Sequence, residues 1–169
     1  MRIALVGCGK SKLDRSAPAR DLYTGALFQK ARAYAEVHCD AWYILSARHW
    51  TVSPSRALEP YEARLDSRTK QERYAWGCSA GSSLCKNMVE DGHTELQMKH
   101  GILTYPEGEN HTLVMLAGST YVDLLLPRLE GKPFTIEDPM RGMGIGHRLR
   151  WLGNAAQTEL FTRDRRTAA

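Results

Sequence analysis

Apolar residues fall into two kinds of pattern along this chain. Unbroken runs at Arg2–Val6 (RIALV), Trp42–Leu45 (WYIL), His111–Leu116 (HTLVML) and Phe134–Ile136 are short and flanked by small or turn-forming residues, as strands buried in a sheet are. Between them the apolar positions recur at three and four. Leu27, Phe28, Ala31, Tyr34 and Ala35 predict an amphipathic helix over about Gly25–His38, with Thr24 as its cap. Thr69–Asp91 predicts one helix or two, because Gly77 and Gly81 weaken a continuous one. Ser119–Leu129 predicts a helix capped by Ser119 and disturbed by Pro127, and a last helix follows Gly146 with Leu149, Leu152, Ala156 and Leu160 on one face. Alternating strands and helices imply crossover connections. The expected architecture is therefore an α/β three-layer sandwich with a mostly parallel sheet of about four strands. Gly92–Asn110 has no clear period and reads as a hairpin, a helix or a functional loop. One domain is expected over 1–162, with 163–169 as a frayed tail.

Composition narrows the class. A chain of 169 residues, 43% of them hydrophobic, buries roughly 70% of its unfolded surface and needs no metal or disulfide staple. No apolar run reaches the roughly 20 residues of a membrane span, so no membrane partner is expected, and the stretch before Cys8 is too short for an export signal. Cys8, Cys39, Cys78 and Cys85 form no CxxC pair and have no zinc-finger spacing, which points to a reducing cytoplasm and to no metal site. The net charge of +4 permits a polyanionic partner without requiring one. It leaves the oligomeric state open.

The unusual residues gather just after the predicted strands: Cys8–Lys12 after the first, Ser46–His49 after the second, Ala117–Ser119 after the third. In a parallel sheet these loops share one edge, where ligands of open α/β sheets bind. Two nucleotide motifs fail on counting. A P-loop ending in Gly9, Lys10 and Ser11 would need glycine where Ala4 stands, and a dinucleotide fingerprint starting at Gly7 meets Lys12 in place of its third glycine. No cofactor is implied. The loop Gly7, Gly9, Lys10, Ser11 and Lys12 reads either as an anion contact through exposed N–H groups and charge, or as a solvated connection. Arg48 and His49 set a cation beside a group that titrates near neutral pH, and Glu59 with Tyr61 offers a carboxylate and a ring for base work or stacking. Asp138, Arg141, Gly144 and Gly146 precede the last helix, where glycines either free its first N–H groups for an anion or let it pack closely. Cys8 is a nucleophile candidate if Lys10 lowers its pKa, or else a small buried residue.

Six segments, CGKSK (8–12), ARDLYTGALF (19–28), YILSARH (43–49), LEPYEARL (58–65), LAGSTY (116–121) and GMGIG (142–146), resemble the small YaaA-like proteins of bacteria, archaea and phages. More distantly the chain is similar to the glycosylase-like domains attached to archaeal tRNA-guanine transglycosylase relatives, and to the α/β sheet of uracil-DNA glycosylases. The resemblance implies a uracil-DNA-glycosylase-like fold with a planar base at the carboxyl edge of the sheet. It implies an enzyme that cleaves or exchanges the bond between base and sugar, in DNA or RNA, within a modification pathway. In that scheme Arg48, Lys10 and Lys12 hold phosphate, His49 stabilises the leaving base, and Glu59 or Asp138 orients water. Tyr61 or Trp50 stacks on the base, while Ser46, Gly118 and Ser119 complete the binding loops. The alternative is a non-catalytic nucleic-acid-binding or nucleotide-sensing accessory protein. Trp50 stands where the related proteins usually carry glycine, so either that turn relaxes or Trp50 is a stacking surface.

Overall fold

The computed structural model describes residues 1–100 and 102–155. In chain order the elements are β1 (Arg2–Gly7), β2 (Ala17–Pro18), α1 (Ala19–Leu22), α2 (Ala26–His38), β3 (Ala41–Ser46), β4 (Trp50–Val52) and β5 (Ala57–Leu58). They continue with α3 (Lys70–Glu90), β6 (Gln97–Lys99), β7 (Ile102–Thr104), β8 (His111–Leu116), α4 (Ser119–Leu125) running into a 3-10 turn (Leu126–Arg128), β9 (Phe134–Glu137) and α5 (residues 145–155).

The central sheet has the order β4-β3-β1-β8-β9, with every pairing parallel except β3 to the edge strand β4. It thus has five strands rather than about four. The additional one is a three-residue hairpin partner that periodicity is too short to reveal. Because side chains alternate across a strand, β1 sends Ala4 and Val6 to one face and Ile3 and Leu5 to the other. The first face packs on α1, α2 and α5 through Leu22, Phe28, Ala31, Ala35 and Leu152. The second packs on α3 and α4 through Trp76, Ala80, Leu84, Val122 and Leu125. The domain is a three-layer α/β sandwich.

Helix α3 is continuous through both of its interior glycines, and they have a packing reason. A Cβ at Gly77 would collide with the carbonyl oxygen of Leu124, and one at Gly81 would press on Arg128 Cβ at 3.1 Å. Glycine here lets α3 lie close against α4 and the turn after it. Its N-terminus carries a full capping box, with Thr69 accepting from the Glu72 N–H and the Glu72 carboxylate accepting from Thr69. Two other expected caps are absent. Gly25 and Gly118, not Thr24 and Ser119, occupy the N-cap positions of α2 and α4, and neither helix end has a side-chain cap. Pro127 converts the end of α4 to the tighter 3-10 form. The segment without a period holds a hairpin, β6 paired antiparallel with β7. The expected positions Ala156 and Leu160, and the tail 163–169, lie outside the described residues.

Candidate functional site

β1 can deliver its loop to the sheet edge because Gly7 is small: a Cβ there would meet Ala117 Cα and Cβ at 3.1 Å. Gly7 therefore serves the approach of β1 to the end of β8 and does not line the cavity beyond. That cavity, of about 210 Å³, is walled by Cys8, Gly9, Lys10 and Lys12 from the first loop and by Gly118, Thr120 and Tyr121 from the third. The segment 62–66 closes it with Glu62, Arg64 and Asp66. Three cations and two carboxylates thus surround a thiol and a phenol. Cys8 Sγ lies 3.3 Å from Tyr121 Oη, and Asp66 is held by a hydrogen bond from Thr120 Oγ1 at 3.0 Å.

Lys12 is fixed from below. Its Nζ stands 4.4 Å from the centroid of the Tyr61 ring and donates to the Lys10 carbonyl at 3.2 Å. Tyr61 in turn is locked by a buried hydroxyl chain, with Oη 2.6 Å from Ser46 Oγ and 2.9 Å from Tyr23 Oη. The backbone N–H groups of Arg48 and His49 donate to Ser46 Oγ, so the serine proton goes to Tyr61 and the Tyr61 proton to Tyr23. Burial above all holds the three phenols neutral. It raises Tyr23 to about 12 and pushes Tyr61 and Tyr121 well above the ordinary phenol range.

The other sequence candidates lie elsewhere. Ser46 is fully buried and organises the turn after β3, so it offers nothing to a ligand. The His49 ring sits edge-on to Tyr61 at 5.0 Å but lines a different groove, together with Trp50. Burial first, then Arg48 and Arg56, lowers its pKa, which keeps the imidazole neutral at pH 7. Arg48 is exposed, with its guanidinium 6.0 Å from the Tyr61 centroid. Glu59, Ser11 and Ser119 are exposed and stand outside the lining of the cavity at the sheet edge, and Asp138 closes a turn through its carbonyl to the Arg141 N–H. Gly146 falls inside α5, which starts at residue 145, and neither it nor Gly144 has anything within 4 Å of a built Cβ, so close packing is not what glycine supplies there. Arg148 pins this loop to the sheet edge by donating to the carbonyls of Ala117 and Met143. Trp50 does take a left-handed backbone, at φ +62. The turn does not relax.

Sequence reasoning missed Tyr121, Thr120, Arg64 and Asp66. One signal was present. Tyr61, Ala63 and Leu65 turn inward while Glu62, Arg64 and Asp66 stay outward, the period-two alternation of an extended segment. Among the described residues no group of three or more His, Cys, Asp or Glu is placed to hold a metal ion. None of their helices is long and apolar enough to cross a membrane.

The fold is that of an open-sheet α/β protein with a charged hollow at the carboxyl edge of the sheet, the edge at which ligands of such sheets bind. The chain belongs to a family of unknown function, DUF6884, whose model matches residues 3–154. That membership carries no chemistry with it. No curated protein and no solved structure gives a match.

Proposed function

We propose that the chain is a nucleobase- or nucleotide-directed enzyme that cleaves or exchanges the bond between base and sugar at the cavity lined by Cys8, Lys12, Asp66 and Tyr121. The observation that carries this reading is that a lysine fixed on an aromatic ring and a carboxylate fixed by Thr120 line the same hollow of about 210 Å³. Whole-ligand pockets are commonly about 300–1,000 Å³, so this one suits a single planar ring or a phosphoryl group while the rest of the ligand lies outside. Lys10, Lys12 and Arg64 supply charge for phosphate, and the neutral Tyr121, with Cys8 beside it, supplies hydrogen bonds to a base edge. The resemblance to YaaA-like and glycosylase-like proteins supports the same ligand class.

The step balances without a cofactor. The bond from C1′ to the base nitrogen breaks with its electron pair leaving on the base, which takes up one proton from solvent, and Asp66 afterwards returns to solvent the one it gains from water. The carboxylate of Asp66 offsets the positive charge left on the sugar and accepts a proton from the water that adds at C1′. Asp66 thus takes the role first given to Glu59 or Asp138, and Tyr61 acts by holding Lys12. The test is release of free base from single-stranded and duplex DNA, RNA and mononucleotides, followed by chromatography. Asp66→Asn should cut turnover by about 10²–10⁴-fold while leaving the midpoint of unfolding in place. Unchanged turnover in that variant defeats the assignment, and nucleotide binding without release in any arm favours the accessory-protein alternative.

A further inference from the structure

Trp50 is costly where it stands. Its φ of +62 is disfavoured for any residue with a Cβ, and it closes the turn formed by residues 47–49, a position at which glycine carries no such penalty. The one other non-glycine residue with positive φ among those described is His100, at the tip of a tight hairpin where that backbone is normal. The ring of Trp50 is nevertheless 45% exposed, so core packing does not account for it. Strain retained together with an exposed aromatic marks a side chain that acts on something outside the fold.

What lies beside it is a groove of about 810 Å³ between the β4 hairpin and α3, lined by Ser53, Arg56, Ser83, Lys86 and Asn87 among others. It shares the lining residues Cys78, Ser82 and Lys86 with a cavity of about 1,010 Å³ that includes Arg128 and Lys132. The combined lining carries Arg56, Lys86, Arg128 and Lys132 against Glu90, Asp91 and Glu109, a small cationic excess. Asp91 accepts from Tyr43 Oη at 2.8 Å, and Glu90 lies 3.6 Å from Lys86 Nζ. Hydroxyls, an amide and spaced cations along a track too long for one nucleotide suit a sugar-phosphate backbone, and an exposed indole at its head suits a base. The head of the track is also next to the candidate site, because His49 in the groove touches Tyr61, which underlies Lys12 in the cavity.

We infer that this groove binds single-stranded nucleic acid with one base stacked on Trp50, so that the substrate class is a polymer and not a free nucleotide. The inference rests on the proposed reading for the ligand held in the neighbouring cavity. Fluorescence anisotropy with labelled short oligothymidylate and oligouridylate tests it, with thymidine and uridine monophosphate as thermal-shift ligands in parallel. Wild type should bind at least one oligonucleotide with affinity that falls as salt rises. Trp50→Leu should weaken that binding on the order of 10-fold, and Trp50→Phe, which keeps a ring, should lose far less. Trp50→Gly, the residue that fits the backbone, should weaken it as Trp50→Leu does and guards against misfolding. Equal affinity of wild type and Trp50→Gly overturns the inference, as does no oligonucleotide binding by wild type. Monophosphate binding with no oligonucleotide binding sinks this inference and leaves the cavity reading intact. Oligonucleotide binding that depends on Trp50, without base release, does the reverse.

Discussion

Gly77 and Gly81 lie one turn apart on α3, and replacing each by alanine separates helix propensity from packing. Both substitutions gain about 1 kcal/mol, because alanine loses less backbone freedom than glycine on entering a helix. They differ in what the new methyl group meets. At position 77 it runs into the backbone oxygen of Leu124, far inside any permitted contact, and α4 has to move away from α3 or α3 has to bend. Forcing extra volume into a packed interface costs about 1–3 kcal/mol, and a methyl group driven against a backbone oxygen falls at the upper end, about 2–3 kcal/mol; the interface disturbed here carries Trp76, Ala80 and Val122. At position 81 the obstacle is Arg128 Cβ at 3.1 Å, which the backbone of the turn after α4 must carry back by a few tenths of an ångström, at a cost of about the 1 kcal/mol that the helix gains. Gly77→Ala should therefore be destabilised by about 1–2 kcal/mol net, and Gly81→Ala should stay within about 0.5 kcal/mol of wild type. In a chain of this size the first corresponds to a fall of about 2–8 °C in Tm. Urea unfolding followed by circular dichroism measures both. A midpoint for Gly77→Ala at or above that of wild type would show that α3 and α4 do not approach this closely.

Two further outcomes follow from the helix cap and from the histidine. Thr69→Ala should cost about 0.5–2 kcal/mol by removing the capping box, measured by urea midpoint. The cap also holds the Glu72 pKa below its ordinary value, first through the Thr69 N–H, which alanine retains, and second through the Thr69 hydroxyl, which alanine removes, so the hydroxyl's share is complete above the unfolded carboxylate pKa. The gap between wild type and Thr69→Ala should thus narrow as pH falls through the depressed folded value, and a gap that widens in acid contradicts the assignment. His49 has the opposite charge and the same sign of shift. Its lowered folded pKa means the unfolded chain takes up the proton first, so wild type should lose stability relative to His49→Gln as pH falls from about 7 towards 5, and equal slopes refute it.

Of the four strands read from sequence, three are covered on both faces, and the fourth, Phe134–Ile136, is an edge strand with alternating burial. Arg2–Val6, Trp42–Leu45 and His111–Leu116 are unbroken apolar runs because α-layers bury them from either side, and the loops after them could be placed at one edge by topology alone. The edge strand Trp50–Val52 and the pair Ala17–Pro18 with Ala57–Leu58 are too short to carry a period. Gly77 read as a weak point in a helix because the contact that requires it, with Leu124, is 47 residues away in the chain. The candidate site divided in the same way. Cys8–Lys12 and Gly118 were found from their place after strands, whereas Asp66 and Arg64 sit on a segment with no regular structure and only their alternation marked them. His49 was placed with the first loop on position in the chain, but Tyr61 stands between them as a wall.

The register of β1 has a consequence for how the chain assembles. Ile3 is paired with Ala41 on one side and with Leu113 on the other, so the middle strand of the sheet is completed only when a loop of 110 residues has closed. Loop closure of that span precedes its reward in contacts, which makes folding slow and late, and until β8 docks one margin of β1 stays open to other chains. Nascent or truncated forms that stop short of Leu116 would carry that open margin permanently and should aggregate rather than populate a half-sheet.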